Sequence, residues 1–126
     1  MAKKGTILVV DNESDQLDMM REILGRIGFE AKTTDNPQQA LKMVEKQAFS
    51  LVIIDLIMPE IDGTELCEQI KQIQPAVSVY AFSGHVHLYS PERLKRAGFD
   101  GSINKPATMV EIKAALCRAM DPQPAS

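Results

Sequence analysis

The sequence has 126 residues, 44% of them hydrophobic and 25% charged, which is the size and composition of one domain with its own core. Its formal net charge of −3 and its scattered basic residues exclude a cationic surface for direct nucleic-acid binding. No apolar run is long enough to span a bilayer and no charged-then-apolar leader follows Met1, so we expect a cytoplasmic protein without membrane contacts.

The two cysteines, Cys67 and Cys117, lie far apart and have no metal-like spacing. In a protein of the cytoplasm such residues are normally reduced. We therefore expect packed free thiols rather than a disulfide or a zinc site.

The first predicted unit is a strand followed by an amphipathic helix. Residues 6 to 10, TILVV, form an apolar run typical of a buried strand. Gly28 is suited to end the helix. The apolar residues at helical spacing between them are Leu17, Met20, Ile23, Leu24 and Ile27.

A second unit begins with FEAKTT (29 to 34), which predicts a weaker and more polar strand. Asn36-Pro37 is a helix start, and Gln39 stands at the capping-box position. The residues expected to face the core from this helix are Leu41, Val44 and Ala48.

The third unit contains LVII (51 to 54), four aliphatic residues that predict a strand buried on both faces. A helix is predicted from about Thr64 to Pro75, capped by Asp62. Its expected core residues are Leu66, Ile70 and Ile73.

Two further units complete the pattern. VSVYAF (77 to 82) predicts a strand, and Ser90-Pro91-Glu92 begins a short helix that ends at Gly98. Proline fits a first helical turn but not a helix interior, so residues 85 to 89 are predicted to be a loop.

The last predicted strand is GSIN (101 to 104), and Thr108 with Glu111 forms a capping box for the final helix. Its expected core residues are Ile112, Ala115, Leu116 and Ala119. Residues 121 to 126, DPQPAS, are too polar and proline-rich to pack, so we expect a flexible tail or the start of a linker there.

Five strands alternating with five helices predict an α/β fold of one domain over residues 1 to 120. We expect a flavodoxin-like, doubly wound, five-stranded parallel sheet of order 2-1-3-4-5 with helices on both faces. In such a sheet the ligand crevice lies beyond the carboxyl ends of strands 1 and 3.

Polar side chains follow four of the predicted strands at that edge: Asp11-Asn12-Glu13, Asp55, Ser83-Gly84 and Lys105-Pro106. Neighbouring strands are about 4.8 Å apart, so Asp11 and Asp55 are expected to share one pocket. Their like charges repel and favour a cation between them. Mg²⁺ takes oxygen ligands and is the cation that such an open carboxylate site suits.

The same edge carries groups that phosphate chemistry uses. Lys105 would supply a fixed positive charge and Ser83 a hydroxyl donor to a phosphoryl oxygen. With a carboxylate and a Mg²⁺ site, these groups suit transfer of a phosphoryl group onto an aspartate.

Each of these residues, taken alone, has a plainer explanation. Asp11 could cap the first helix, Asp55 and Ser83 could belong to ordinary turns, and Lys105 could be a solvated surface charge. Their joint placement at one edge favours the functional interpretation.

The motifs ILVVDNE, LVIIDLIMPEIDG, FSG and GSINKP, in this order and spacing, resemble the receiver domains of two-component response regulators over residues 6 to about 120. The resemblance implies that Asp55 accepts a phosphoryl group from a phosphohistidine of a sensor histidine kinase or histidine phosphotransfer protein. It also implies a downstream protein target or effector domain. It assigns Mg²⁺ binding to Asp11, Asn12, Asp55 and the backbone carbonyl of Ile57.

The resemblance further implies that Ser83 is the switch hydroxyl and that Lys105 precedes a cis-proline, Pro106; proline makes that isomer accessible. Four positions depart from the family pattern. Asn12 replaces a second acid, which predicts weaker Mg²⁺ binding. Ser102 and Ala107 replace aromatic residues, and Pro91 shortens the fourth helix. Either the short helix has no functional consequence, or residues 85 to 89 are the mobile part of the switch.

A phosphorylation-independent pseudo-receiver that only binds proteins remains the alternative, motivated by Asn12, Ser102 and Pro91. A phosphatase of the haloacid dehalogenase type would need an acid at Ile57. A flavodoxin would need a hydroxyl- and glycine-rich phosphate loop in place of the acidic residues after strand 1.

Overall fold

A computed structural model describes residues 5–120, in which strands and helices alternate. The strands are β1 (Thr6–Val10), β2 (Glu30–Thr34), β3 (Leu51–Ile54), β4 (Ser78–Ser83) and β5 (Gly101–Asn104). The helices are α1 (Ser14–Ile27), α2 (Pro37–Lys46), α3 (Gly63–Ile73), α4 (Pro91–Ala97) and α5 (Met109–Met120). A single 3₁₀ turn, Val86–Leu88, lies between β4 and α4. The expectation for residues 121 to 126 lies outside the described residues.

The five strands form one parallel sheet in the order β2-β1-β3-β4-β5, which confirms the predicted topology. Val10 pairs with Thr34 on one side and with Ile54 on the other. Ser83 pairs with Asn104. This register brings the carboxyl ends of the strands to one edge.

The core has two layers because successive side chains of a strand point to opposite faces of the sheet. On β3, Val52 and Ile54 pack with the inner sides of α2, α3 and α4. Leu51 and Ile53 pack with α1 and α5 on the other face. Helices therefore cover both faces, and all four residues of β3 are buried as predicted.

Helix ends follow the predicted signals in most places. Gly28 and Gly98 end α1 and α4 in the left-handed region, with φ of 114° and 110°, which glycine adopts without steric cost. Asp62 accepts from Thr64 N at 2.8 Å, and Ser90 accepts from Arg93 N at 3.1 Å. The fourth helix therefore begins at Pro91, as the proline indicated.

Two predictions for α2 are wrong in detail. Gln39 does not complete a capping box, because Thr34 at the end of β2 intervenes: its hydroxyl accepts from Asn36 N and donates to the Gln39 side chain. Ala48 is exposed because α2 ends at Lys46 and the chain is extended at the next residue.

Two further core predictions fail at helix ends and outer faces. Ile73 is 37% exposed, because it is the last residue of α3 and its neighbour Gln74 fills the junction by donating to the carbonyls of Val44 and Gln47. Cys117 is exposed on the outer side of α5, whereas Cys67 is buried, and both thiols are free. Burial raises the pKa of the Cys67 thiol to about 12, so this thiol stays protonated.

Within residues 5–120, no helix combines the length and the apolar character needed to cross a membrane.

Candidate functional site

Backbone hydrogen bonds continue one residue past the strands and fix the start of each functional segment. Asp55 N donates to the carbonyl of Val10 at 3.0 Å, so Asp55 lies directly beside the end of β1. Asp11 N donates to the carbonyl of Thr34 at 3.2 Å, and Lys105 N donates to the carbonyl of Ser83 at 3.1 Å. The sheet therefore positions these residues, as the strand order predicted.

Two buried aspartates lie at the centre of this edge. Asp11 is 2% exposed and Asp55 is 6% exposed. Asp11 Oδ1 accepts from Glu13 N at 2.9 Å, and Asp55 Oδ1 accepts from Ile57 N at 3.4 Å. One carboxylate oxygen from each of Asp11, Glu13 and Asp55 lies within 4.8 Å of the other two. Asp11 and Asp55 thus share the pocket expected from the sequence.

Lys105 is the positive charge of the site. Its Nζ donates to Asp11 Oδ2 at 2.7 Å and lies 3.6 Å from Asp55 Oδ2. The side chain is 14% exposed, and the ammonium lies 5.2 Å from the centre of the Phe82 ring. The Lys105–Pro106 peptide bond is cis, the conformation expected from the sequence.

Ser83 ends β4 and is fully buried. Its Oγ accepts from His85 N at 3.1 Å, so the hydroxyl proton is not used in that bond. A cavity of about 280 Å³ opens beside it. The cavity is lined by Asn12, Glu13, Asp55, Ile57, Ser83, Gly84, His85 and Lys105.

The structure therefore brings together all the predicted site residues. Asp11, Asp55, Ser83 and Lys105 meet at one edge, and Asn12 and Ile57 border the same cavity. Their functional roles stay predictions. Glu13 was missed as a member of the carboxylate group, although an acid at the start of a helix directly after Asp11 and Asn12 was a signal for it.

A polar contact links the loop between β3 and α3 to the loop between β4 and α4, both beside the site. The Tyr89 hydroxyl donates to Asp62 Oδ2 at 2.9 Å, and the Arg93 guanidinium lies 4.7 Å from the Tyr89 ring centre and 3.9 Å from Asp62. Burial raises the pKa of Asp62, but hydrogen bonds from Thr64 and Tyr89 outweigh it and the net shift is downward. Burial and the bond to Asp62 raise the pKa of Tyr89.

With the fold and this acidic, lysine-bearing edge defined, comparison of the sequence with known protein families assigns the class of protein. The chain belongs to the response regulator receiver domain family, whose sequence model matches residues 7–117. Receiver domains are signalling modules of two-component systems, and the resemblance stated from the motifs is confirmed.

Individual relatives share this domain within different proteins. The chain is 29% identical over 110 residues to the sensor histidine kinase RcsC of Salmonella typhi. The matched region covers 87% of the chain but only 12% of RcsC. The crystal structure of NtrX from Brucella abortus is 31% identical with a TM-score of 0.86, covering 96% of the chain and 27% of NtrX. A receiver domain from Clostridium thermocellum is 27% identical with a TM-score of 0.85, covering 96% of the chain and 95% of that domain.

Proposed function

We propose that this receiver domain accepts a phosphoryl group on Asp55 from a phosphohistidine and thereby switches its protein contacts. The observation that carries the proposal is the position of the Asp55 carboxylate. It borders a cavity that Ser83 and Lys105 also line, and its Oδ2 lies 3.6 Å from the Lys105 ammonium. A carboxylate held among a cation, a hydroxyl and further acids suits attack on phosphorus better than it suits a structural role.

In the proposed reaction Asp55 is a reactant rather than a turnover catalyst. A carboxylate oxygen of Asp55 forms a bond to phosphorus while the bond between phosphorus and the donor imidazole nitrogen breaks. The imidazole keeps the electron pair of that bond. The product is an aspartyl phosphate, which adds negative charge at the mouth of the cavity.

Lys105 and Ser83 are proposed to hold the transferred group. The Lys105 ammonium already contacts two carboxylates, so a phosphoryl oxygen at Asp55 would meet a positive charge without a large rearrangement. The Ser83 hydroxyl accepts from His85 N and keeps its own proton for donation to a phosphoryl oxygen. Both contacts would stabilise charge that develops during transfer.

The donor set of the site fits Mg²⁺. The carboxylates of Asp11 and Asp55 are oxygen donors. Asn12 and Ile57 line the same cavity, and we propose that the Asn12 side-chain amide and the Ile57 backbone carbonyl supply two more oxygens. Hard oxygen donors with room for water are what Mg²⁺ prefers. When bound, Mg²⁺ supplies positive charge that offsets the charge of the phosphoryl oxygens.

The partners follow from the family. The similarity to a receiver domain within a sensor kinase supports a sensor histidine kinase or histidine phosphotransfer protein as the donor. A downstream protein or an effector domain would recognise the phosphorylated form.

The test is intact mass after incubation with a small acyl phosphate, with and without Mg²⁺. Wild type is expected to gain one phosphoryl group only with Mg²⁺, and Asp55→Asn none. Asp35→Asn is the matched control, since Asp35 follows β2 at the same edge but lies outside the Asp11, Glu13 and Asp55 group. If wild type gains no mass, the phosphorylation-independent pseudo-receiver replaces this proposal.

A further inference from the structure

We infer that Glu13 supplies the negative charge that Asn12 does not, and is therefore a determinant of Mg²⁺ affinity at this site. The inference rests on the proposed function and adds one residue to it. Three observations support it: the position of the Glu13 carboxylate, its lack of a capping hydrogen bond or salt bridge within residues 5–120, and the charge balance of the site.

The Glu13 carboxylate lies with the two aspartates. Glu13 stands between β1 and α1, and its N–H donates to Asp11 Oδ1 at 2.9 Å, which holds the residue against the site. One of its carboxylate oxygens lies within 4.8 Å of oxygens of Asp11 and Asp55, and Glu13 lines the same cavity as Asp55. Glu13 is an exposed residue, and a carboxylate oxygen of it is close enough to share a cation with the two aspartates.

Glu13 has no local structural role that would explain its position. It is the N-cap of α1, yet its side chain accepts no capping hydrogen bond. Asn36, Asp62 and Ser90 do accept one at α2, α3 and α4, as expected of residue types that favour this position. Within residues 5–120 the Glu13 carboxylate takes part in no hydrogen bond or salt bridge, so it is available to a cation.

The charge balance shows what Glu13 contributes. The Lys105 ammonium bonds Asp11 at 2.7 Å and offsets one of the three carboxylate charges. Asp55 and Glu13 then leave a net charge of about −2, which matches a divalent cation. Without Glu13 the net charge falls to about −1, because the amide of Asn12 brings none. Glu13 thus restores the charge that an acid at position 12 would provide.

The experiment is a Mg²⁺ titration of the unphosphorylated protein at constant ionic strength, followed by amide chemical shifts of Asp55 and Ile57. Glu13→Gln is expected to weaken Mg²⁺ binding roughly tenfold, the scale on which residues around a metal act. Glu60→Gln is the matched control: the same charge is removed from an exposed residue of the neighbouring cavity that Asn12 also lines. It is expected to change the affinity much less.

Two further variants complete the test. Asn12→Asp should bind Mg²⁺ more tightly than wild type, and Asn12→Asp with Glu13→Gln should return close to the wild-type affinity. Equal losses in Glu13→Gln and Glu60→Gln, or no recovery in the double variant, would overturn the inference while leaving the proposed function intact. If wild type shows no saturable shift at Asp55 and Ile57, the Mg²⁺ part of the proposed function fails together with the inference.

Discussion

Two loops border the candidate site, and they are built in different ways. The β3–α3 loop (residues 55–62) is anchored by buried residues: Leu56 is fully buried, Met58 is nearly so, and an antiparallel bridge joins Ile57 to Asp62. The β4–α4 loop (residues 84–90) has no buried residue. Its Val86 and Tyr89 side chains pack against the core but are only partly buried, and its polar contacts run from His85 N to Ser83 and from Tyr89 to Asp62.

The difference indicates which loop can respond to phosphorylation. A loop held by fully buried side chains must open a cavity to move, whereas a loop held by partly buried side chains and two polar contacts can exchange those contacts at lower cost. Both bonds of the β4–α4 loop involve groups beside the site. Ser102, which replaces the family's aromatic residue, is exposed and offers no buried side chain to move. We therefore expect the β4–α4 loop to carry the switch.

The largest expected effect is the destabilisation caused by Gly63→Ala, at the first residue of α3, where the glycine packs against the β3–α3 loop. A Cβ on Gly63 would lie 2.5 Å from the carbonyl oxygen of Asp55 and 2.7 Å from Leu56 Cα, so backbone must move. We expect a loss of about 3 kcal/mol in the free energy of unfolding, measured in urea. Gly84→Ala in the other loop is the control: a Cβ there meets no atom within 4 Å, and the expected change is below about 0.5 kcal/mol. Equal losses would contradict the comparison.

A phosphoryl mimic bound at Asp55 should separate the two loops in solution. The Ser83 hydroxyl accepts from His85 N, so movement of this hydroxyl toward the mimic should disturb the loop. We expect the amide exchange rates of residues 85 to 89 to change roughly tenfold, which corresponds to a typical coupling free energy. Exchange at residues 56 to 58 should change much less. Unchanged exchange at residues 85 to 89 would remove the β4–α4 loop from the switch.

Tyr89→Phe tests the contact that joins the loops. It removes the hydrogen bond to Asp62 and keeps the ring under the Arg93 guanidinium. We expect residues 85 to 89 to lose about 1 kcal/mol of protection in hydrogen exchange. Residues 56 to 58 serve as the internal reference, and a uniform loss across both loops would argue against a local contact.

The smallest effect concerns pH. The pKa of Asp62 is lowered on folding, so its ionised form stabilises the protein above the ordinary value of 3.8, and this stabilisation is lost as the pH falls through the folded pKa. The side chain is 38% exposed, and screening keeps the effect below about 1 kcal/mol. Unfolding of wild type and Asp62→Asn from pH 6 downward should show a difference that shrinks below about pH 4. A constant difference would show that the Asp62 charge is unimportant.

The two predicted capping boxes show how far local sequence reaches. Thr108 and Glu111 form theirs, with Thr108 N donating to Glu111 at 2.9 Å and Glu111 N donating to Thr108 at 3.1 Å. The bonds that the Glu111 carboxylate accepts from Thr108 N and from the Thr108 hydroxyl also lower the pKa of Glu111. Asn36 and Gln39 have the same spacing but do not form one, because Thr34 bonds both. The first box depends only on residues within one helical turn. The second is prevented by Thr34, the last residue of β2, which lies outside the helix.

By itself the sequence determined the element types, the strand order and the residues that follow each strand. Apolar periodicity and parallel pairing depend on short segments and on general rules of chain connection. Only the tertiary structure decided that Glu13 joins Asp11 and Asp55 and that Tyr89 bonds Asp62. Side chains from separate segments meet according to register, helix position and loop path. The acid after Asp11 and Asn12 was a local signal for Glu13 but did not show where its carboxylate lies, and no local pattern of residues encodes the bond between Tyr89 and Asp62.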